Sequence, residues 1–516
     1  MSTLETQTKL RLVFSGLLVA MLLSSLDQTI FSTALPTVVG ELDGVDQMMW
    51  VHTAYILAAT VTMPVYGKFG DLLGRKWLFI GALGLFIAGS VVGGLAQDMT
   101  WLIIARTIQG LGGGGLMLLS QAIVADVVPE RERGKYMGVI GAVFGLSAIA
   151  GPLLGGWFTE GIGWRWAFWI NIPLGLLAVA AAWAFLPKGT RHASFRPDIA
   201  GIVSMAVSVT SVILVTSWGG NTYDWTSGTI LGLIALAVVA AIVFVRVELR
   251  AEHPIIPMHL FADRNFTLST AVGLITAIAM FGTIGYLPTY LQMVEGLGAT
   301  QAGLMLIPMI AGMMITSLST GQLVSKYGRY KWMPIASGVV MAVGLFLLST
   351  ITPETSLWVL SAWLFILGAG MGLGMQILVL VVQNAFPGKE VGTATGANSF
   401  FREVGASIGA AAVGSLFTAR LTSELTSRLP NTGQGGMDTN ALTPELVGQL
   451  PSAIHDAVIT AYSEALTPVF AYLVPVILVG VVMAWFIQER PLAVELPGGN
   501  VPPDATEPVL ADERLG

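Results

Sequence analysis

The sequence predicts an all-α polytopic membrane protein, and three observations carry that reading. Apolar residues make up 54% of the 516 residues and charged residues only 11%, against roughly 25% charged in soluble proteins. The apolar residues gather into fourteen runs, each near the ~20 residues that one membrane crossing needs. Lys and Arg are sorted by side: with Arg106 and Arg402 set apart inside spans, only Arg165, Arg420 and Arg428 follow odd-numbered runs, and the remaining twenty of the 25 fall on the other face. The positive-inside rule then places both termini in the cytoplasm, as expected of a multi-pass protein of a cell's inner membrane.

The first run, 12–36, is longer than the apolar region of a signal peptide, lacks a small-residue cleavage site and carries Asp27 at its centre. A charge at that depth costs roughly 3 kcal/mol even on lenient insertion scales, so it reads as a functional site. The second run, 48–67, leads into GKFGDLLGRK (Gly67 to Lys76). Glycines there let two helices meet across a tight turn, while Asp71 can sit against a neighbouring helix N-terminus and Arg75 against an acid. After a third run, 77–97, the fourth, 101–123, holds Arg106 three residues before Gln109 and four before Gly110, on one helix face, and then Gly112 to Gly115. The fifth, 135–158, contains GLSAIAGPLLGG (Gly145 to Gly156). Pro152 bends that helix by removing a backbone hydrogen bond, and glycines around it permit close packing. The sixth, 165–186, opens within WRWAFWINIPLG (Trp164 to Gly175).

A short basic segment, 187–197, precedes runs seven and eight at 199–217 and 227–247. Runs nine, ten and twelve (266–291, 301–324 and 357–383) are rich in methionine, at 280, 305, 309, 313, 314, 371 and 375, with Tyr286, Tyr290 and Gln292 nearby; run eleven is 332–350. The thirteenth, 393–418, sets Arg402 beside Glu403 halfway along. Neighbours on a helix point about 100° apart, so one can face a cavity while the other packs, and the sequence leaves open which. A long outer loop, 419–462, ends in AIHDAVITAYSEAL, which has helical apolar spacing, and leads into the fourteenth run, 463–488. From Pro491 the chain is rich in Pro, Gly and acids and reads as disordered.

The loop after the tenth run, GQLVSKYGRYK (Gly321 to Lys331), echoes GKFGDLLGRK eight runs later, with Ser325 where Asp71 stands. Such an echo implies duplicated halves. The expected organisation is an N-terminal six-helix bundle (1–186), a linker with two inserted helices (187–250), a C-terminal six-helix bundle (251–490) with the outer loop 419–462, and a cytoplasmic tail (491–516).

Enzyme chemistry finds no support. His52, His192, His253, His259 and His455 all fall away from the middle of a span, and no HExxH or phosphate-binding loop is present. ATP is therefore not expected as an energy source. The absence of cysteine excludes disulfides and thiolate metal sites; no cofactor, metal or nucleic-acid partner is expected. Nothing resembles a channel's selectivity filter.

Five segments in order, LDQTIFSTALP (Leu26 to Pro36), GKFGDLLGRK, RTIQGLGGG (Arg106 to Gly114), GLSAIAGPLLGG and WRWAFWINIPLG, on a count of fourteen spans, resemble the major facilitator superfamily, specifically its fourteen-helix drug:proton antiporter branch. GTATGANSFFREVG (Gly392 to Gly405) resembles that branch's thirteenth helix, although the second half is less diagnostic. The resemblance implies the major facilitator fold, with two six-helix bundles plus two inserted helices. It implies a proton-driven efflux antiporter for lipophilic, cationic drugs or toxic compounds, working by alternating access. Asp27 matches the branch's helix 1 acid, and Arg106 matches an arginine of the cavity lining linked to proton transfer. Gly67, Gly70, Asp71, Gly74 and Arg75, with Asp126, match a gate between bundles on the cytoplasmic face. Gly145, Gly151, Pro152, Gly155 and Gly156 resemble the mark of exporters.

The residues themselves add Glu403 and Arg402 as further proton-coupling candidates, with an ion pair that pins the thirteenth helix as the alternative; for Arg106 the alternative is likewise a structural ion pair. A broad apolar substrate site is expected from Asp27, Gln109, Tyr286, Gln292, Met309, Met375 and Phe401. Thioethers and aromatic faces adapt to varied ligands, and a carboxylate among them favours lipophilic cations. The expected partners are small lipophilic substrates, protons and the lipid bilayer, with the chain acting as a monomer. A rival cargo, a lipid, an antibiotic or an anionic metabolite, stays open, with Arg106 and Arg402 as its counter-charges.

Overall fold

The computed structural model describes residues 3–44, 47–187, 197–220, 222–388, 390–428, 446–447 and 450–494. Each expected span is a helix: α1 (Thr3–Glu41), α2 (Met48–Leu73), α3 (Arg75–Gly94), α4 (Met99–Val127), α5 (Glu130–Trp157), α6 (Trp166–Phe185), α7 (Ile199–Trp218), α8 (Gly228–Glu248), α9 (Arg264–Met293), α10 (Thr300–Tyr327), α11 (Trp332–Leu348), α12 (Leu357–Ala385), α13 (Val391–Arg428) and α14 (Ser452–Trp485). Thirteen are long and apolar enough to cross a membrane by that measure alone, and α11 has 17 residues. At 1.5 Å per residue α11 still rises about 26 Å, close to the hydrocarbon thickness. Helices α9 and α10 each break, at Gly285 to Tyr286 and at Met305 to Leu306, and Pro288 or Pro308 opens the second segment. Proline has no N–H to donate and crowds its predecessor.

Helices run past the apolar runs. α13 continues to Arg428 and α14 begins at Ser452, so the outer loop expected over 419–462 contracts to 429–451, of which 429–445, 448 and 449 lie outside the described residues. An apolar run measures the membrane, whereas helix beyond it is held by polar contacts. Arg428 pairs with Glu424 one turn back at 3.5 Å and with Glu464 of α14, and Arg420 donates to the Glu464 carbonyl at 3.2 Å. The helical spacing of AIHDAVITAYSEAL is realised as the start of α14. At the other end, residues 491–494, expected in a disordered tail, dock on the protein with Leu492 buried, because their backbone finds partners there. Residues 495–516, and 188–196 of the basic segment, lie outside the described residues.

Packing divides the helices. α1 to α6 pack among themselves, chiefly α1 on α5, α2 and α3 on α4, and α6 on α1; α9 to α14 do the same, through α9 on α13, α10 and α11 on α12, and α11 on α14. The two groups meet where α5 lies along α10 and α2 along α13. α7 and α8 pair with each other, and α7 leans on both α2 and α13. α8 presents Leu231, Val238, Val239 and Ile242 outward, the pattern of a helix facing lipid.

The seam between the groups needs glycine. A methyl group on Gly67 would sit 2.5 Å from the Gly392 carbonyl oxygen, and one on Gly321 would sit 2.3 Å from that of Gly134. Small residues at helix crossings let backbones approach this closely. Hydrogen bonds that join the groups gather toward the face rich in Lys and Arg, here the basic face: Ser317 to the Gly138 carbonyl, Gln383 to the Gln121 carbonyl, and those of Asp71 described below.

Candidate functional site

Asp27 lies wholly buried at the centre of the first group, where α4 and α6 supply its partners. From α4, Arg106 Nη1 forms an ion pair with Asp27 Oδ2, and Gln109 Nε2 donates to Asp27 Oδ1 at 2.9 Å. From α6, Asn171 Nδ2 donates to the same oxygen at 3.0 Å. Ser90 Oγ of α3 accepts from Gln109 at 2.9 Å and from Asn171 at 3.2 Å, fixing both amides. The i, i+3 spacing of Arg106 and Gln109 also lets Arg106 Nη1 donate to Gln109 Oε1 at 2.9 Å.

The glycine run of α4 admits α2 here. A methyl group on Gly113 would sit 2.2 Å from Tyr55 Oη, and that hydroxyl hydrogen-bonds Ser24 Oγ of α1 at 3.0 Å. The Tyr55 and Phe31 rings flank the Arg106 guanidinium at 4.4 and 4.6 Å. Arg106 Nη2, buried, has no hydrogen-bond partner among the described residues. The ring faces offset part of its desolvation, about 2 kcal/mol for a dry cation–π contact. Removing either member of a buried pair costs about 3–5 kcal/mol, because the survivor is left as an isolated buried charge. The cluster can therefore hold one negative and one positive charge together, and loses that balance when a proton neutralises the acid.

Asp27, Arg106 and Gln109 come together as the sequence suggested; Ser90, Asn171, Tyr55 and Ser24 went unseen. Their signal was faint. Asn171 is a lone amide in an apolar run, and only its three-dimensional neighbours show that it aims at Asp27.

A second cluster closes the seam at the basic face. Asp71 Oδ1 accepts from the Gly392 N–H at 3.0 Å, and Oδ2 accepts from the Thr393 N–H at 2.6 Å and the Thr393 hydroxyl at 2.7 Å. These donors are the first turn of α13, so the acid meets the positive end of a helix from the opposite group. Arg75 pairs with Asp71 at 2.8 Å and with Asp126 at 2.6 Å, and also donates to the Ala122 carbonyl. Gly67 and Gly70 make room, and Gly74, at φ 87°, turns the chain in the left-handed region. All six residues expected at a gate are thus in one place.

The glycines of α5 serve two neighbours. Gly145 abuts Met314 and Ile310 of α10, whereas Gly151 and Gly155 abut Thr29 and Thr33 of α1. Thr29 donates to the Ser147 carbonyl at 2.9 Å and Thr33 to that of Pro152 at 3.3 Å. Gly156 meets nothing within 4 Å. The half of α5 around Pro152 is therefore fastened to the helix that carries Asp27.

Packing places Arg402 and Glu403 on different faces of α13. Asn398, Gly405 and Gly409 all touch α9, and Arg402 shares their face of α13. Gly392 and Gly396 abut α2, and Glu403, seven residues after Gly396, shares theirs. Arg402 is buried and Glu403 half-buried, and neither makes an ion pair or side-chain hydrogen bond with a described residue.

The residues expected to contact substrate do not form one pocket in this conformation. Gln109 sits with Asp27 in the sealed cluster. Met309 is buried against Gly368, Tyr286 stacks near Phe417 at 5.7 Å, and Gln292 donates to the Pro288 carbonyl at 3.3 Å, all in the second group. Phe401 packs on Phe261 and Phe400, and Met375 is half-buried on α12. A hollow lined by Leu323, Tyr327, Arg329, Trp332 and Met333 lies at the edge of the basic face and holds none of them.

The chain's relatives fit this architecture. Residues 17–410 match the family model described as the Major Facilitator Superfamily. The chain is 37% identical over 513 residues to the multidrug transporter protein MdtP of Bacillus subtilis, covering 95% of each. It is 42% identical over 482 residues to an uncharacterized MFS-type transporter of Mycobacterium tuberculosis, covering 93% of this chain and 70% of that one. The crystal structure of the human organic anion transporter MFSD10 (TETRAN) superposes with a TM-score of 0.60 at 14% identity, over 92% of this chain and 99% of that one, a likeness of fold alone. With the helix count and the ordered segments, these matches establish that the chain is a membrane transporter, not an enzyme, and belongs to the drug-efflux branch of the Major Facilitator Superfamily.

Proposed function

We propose that the protein is a monomeric, proton-driven antiporter that exports lipophilic, mainly cationic compounds across a cell's inner membrane by alternating access. The observation that carries this reading is Asp27, buried mid-membrane and paired with Arg106. The basic face is taken as cytoplasmic on the positive-inside rule, so the conformation described is closed toward the cytoplasm by the Asp71 cluster. From the outer side a proton reaches Asp27, breaks its pair with Arg106 and loosens the amides of Gln109 and Asn171. The α1–α5 fastening at Thr29 and Thr33 carries that change to the seam with α10. The N-terminal and C-terminal six-helix bundles then rock about the midplane, with α7 and α8 as an insert, and the proton leaves to the cytoplasm. Glu403, on the α13 face toward α2, is a second acid in the path. Protons supply about 2.3 kcal/mol per charge per 100 mV and about 1.4 kcal/mol per pH unit, so one or two per cycle suffice for useful accumulation.

Arg402 supports a second reading. A buried guanidinium with no acid paired to it among the described residues suits an anionic group on the cargo, as in an exporter of an anionic metabolite. Everted membrane vesicles separate the two. Given a lumen more acidic than the medium, vesicles containing the protein should accumulate a fluorescent lipophilic cation and release it when a protonophore collapses the gradient. No gradient-dependent movement across a wide panel of cations would defeat the cationic reading, and movement of anions alone would establish the second.

A further inference from the structure

The segment after α14 crosses the seam. Gln488 and Asn265 of α9 exchange two hydrogen bonds, 2.8 Å from the Gln488 N–H and 2.7 Å to its carbonyl. Glu489 Oε1 accepts from the Tyr330 N–H at 2.8 Å, the Arg490 N–H donates to Tyr330 Oη at 2.8 Å, and the Arg490 guanidinium pairs with Asp263 at 2.6 Å. Leu492 is buried in the apolar cluster that holds Tyr330 and Ile487. So far the chain is clamped to the second group. Ala493 then reaches the first: its N–H donates to Glu130 Oε2 at 2.9 Å, and its carbonyl accepts from the Arg131 N–H at 3.0 Å, at the start of α5.

That meeting point lies beside the weaker copy of the repeated loop. Ser325, which stands where Asp71 stands in the first copy, accepts from the Lys135 N–H at 3.0 Å and donates to the Glu132 carbonyl at 3.4 Å. It brings no charge to the α5 terminus. Arg131, held on one side by Ala493, donates on the other to the Ser325 and Lys326 carbonyls at 3.3 and 3.1 Å. One residue therefore ties α5, α10 and the strap together.

We propose that Gln488 to Ala493 is a second latch that makes up for the uncharged Ser325 and stabilises the state closed at the basic face. The proposal rests on the alternating-access reading, and the test separates the two. The chain has no cysteine, so Ser317→Cys places a single thiol in the seam, where Ser317 is buried against Gly138. Everted vesicles expose the basic face to a membrane-impermeant maleimide, whose labelling rate reports opening.

Four chains are compared in the Ser317→Cys background: full length, ended after Val494, ended after Pro491, and full length with Glu130→Ala. Ending after Val494 should leave the rate unchanged. Ending after Pro491, and Glu130→Ala, should each raise it roughly tenfold, the equivalent of the one hydrogen bond to the Glu130 carboxylate that both chains lose. Asp71→Ala is the reference for an opened seam. A rise there, with the Pro491 and Val494 chains alike and Glu130→Ala without effect, would overturn the strap. No rise even with Asp71→Ala would overturn alternating access at this seam. Because Glu130→Ala leaves the C-terminus intact, failure of a shortened chain to insert does not stand in for a result.

Discussion

The two copies of the loop, Gly67 to Lys76 and Gly321 to Lys331, share their placement at the seam and differ in chemistry. Gly74 and Gly328 both have positive φ, at 87° and 72°, and each copy hands its residue to the N-terminal end of a helix in the opposite group, Asp71 to the first turn of α13 and Ser325 to the Lys135 N–H of α5. Asp71 meets three donors and its own arginine, which is braced again by Asp126; Ser325 meets one N–H, and Arg329 is exposed and unpaired among the described residues. The geometry of duplication survives where the charge does not. One side of the seam is thus closed by an acid at a helix end, the other by hydrogen bonds of Ser325 and Arg131 to backbone groups, which need help from elsewhere.

The difference can be broken from its strong end. Asp71→Ala leaves Arg75 half-neutralised and the α13 terminus uncapped, a loss of about 3 kcal/mol to the closed state, on the scale of buried pairs missing one member. Opening at the basic face, read by thiol accessibility, should then rise about a hundredfold. Ser325→Ala removes one neutral acceptor worth about 1 kcal/mol, so the same measurement should move only about fivefold. Equal effects would erase the distinction between the copies.

The smallest expected effect lies at the far end of the first group. Glu41, at the close of α1, accepts from Arg165 at 2.6 Å and from the Trp164 indole at 2.7 Å. The Arg165 hydrogen bond first, and then that of Trp164, hold its carboxyl below the usual carboxylate range. A depressed value means that the contact is complete above the ordinary carboxylate pKa and is lost only as pH falls through the lower, folded-state value. Glu41 and Arg165 are both substantially exposed, so the pair contributes under ~1 kcal/mol. Glu41→Gln should shift the melting temperature of purified protein by no more than a degree or two at pH 7, and acidification to about pH 5 should leave the wild-type contact intact.

Much of this was legible in the sequence because membranes impose simple rules. Fourteen apolar runs became fourteen helices, since backbone groups in lipid leave almost no other solution. Asp27 and Arg106 announced themselves because charges among apolar residues are costly, and Asp71 and Arg75 because their loop is repeated eight runs later. What stayed hidden was chemistry without charge and direction without contacts. Ser90 and Asn171 look like any small polar residue in a helix until the fold brings Asn171 onto Asp27 and Ser90 onto the amides that hold it. Which of Arg402 and Glu403 meets the opposite group depends on the rotation of α13, set by Gly396 against α2 and Gly405 against α9. Polar helix extensions at Arg428 and Ser452, and the docked residues 491–494, lie where hydropathy carries no signal.

The same inequality runs through the membrane centre. Asp27 is sealed with an arginine and two amides, whereas Glu403 on the other side stands half-buried with no ion pair or side-chain hydrogen bond among the described residues. Coupling is assigned to the sealed acid, so Asp27→Asn is the most direct test, measured as uphill accumulation and as downhill exchange of one lipophilic cation in the same everted vesicles. The expected result is loss of gradient-driven accumulation with exchange retained, because a neutral amide can keep the cluster packed but cannot take up a proton. Accumulation by Asp27→Asn at the wild-type level and with the wild-type dependence on the pH gradient would contradict the account.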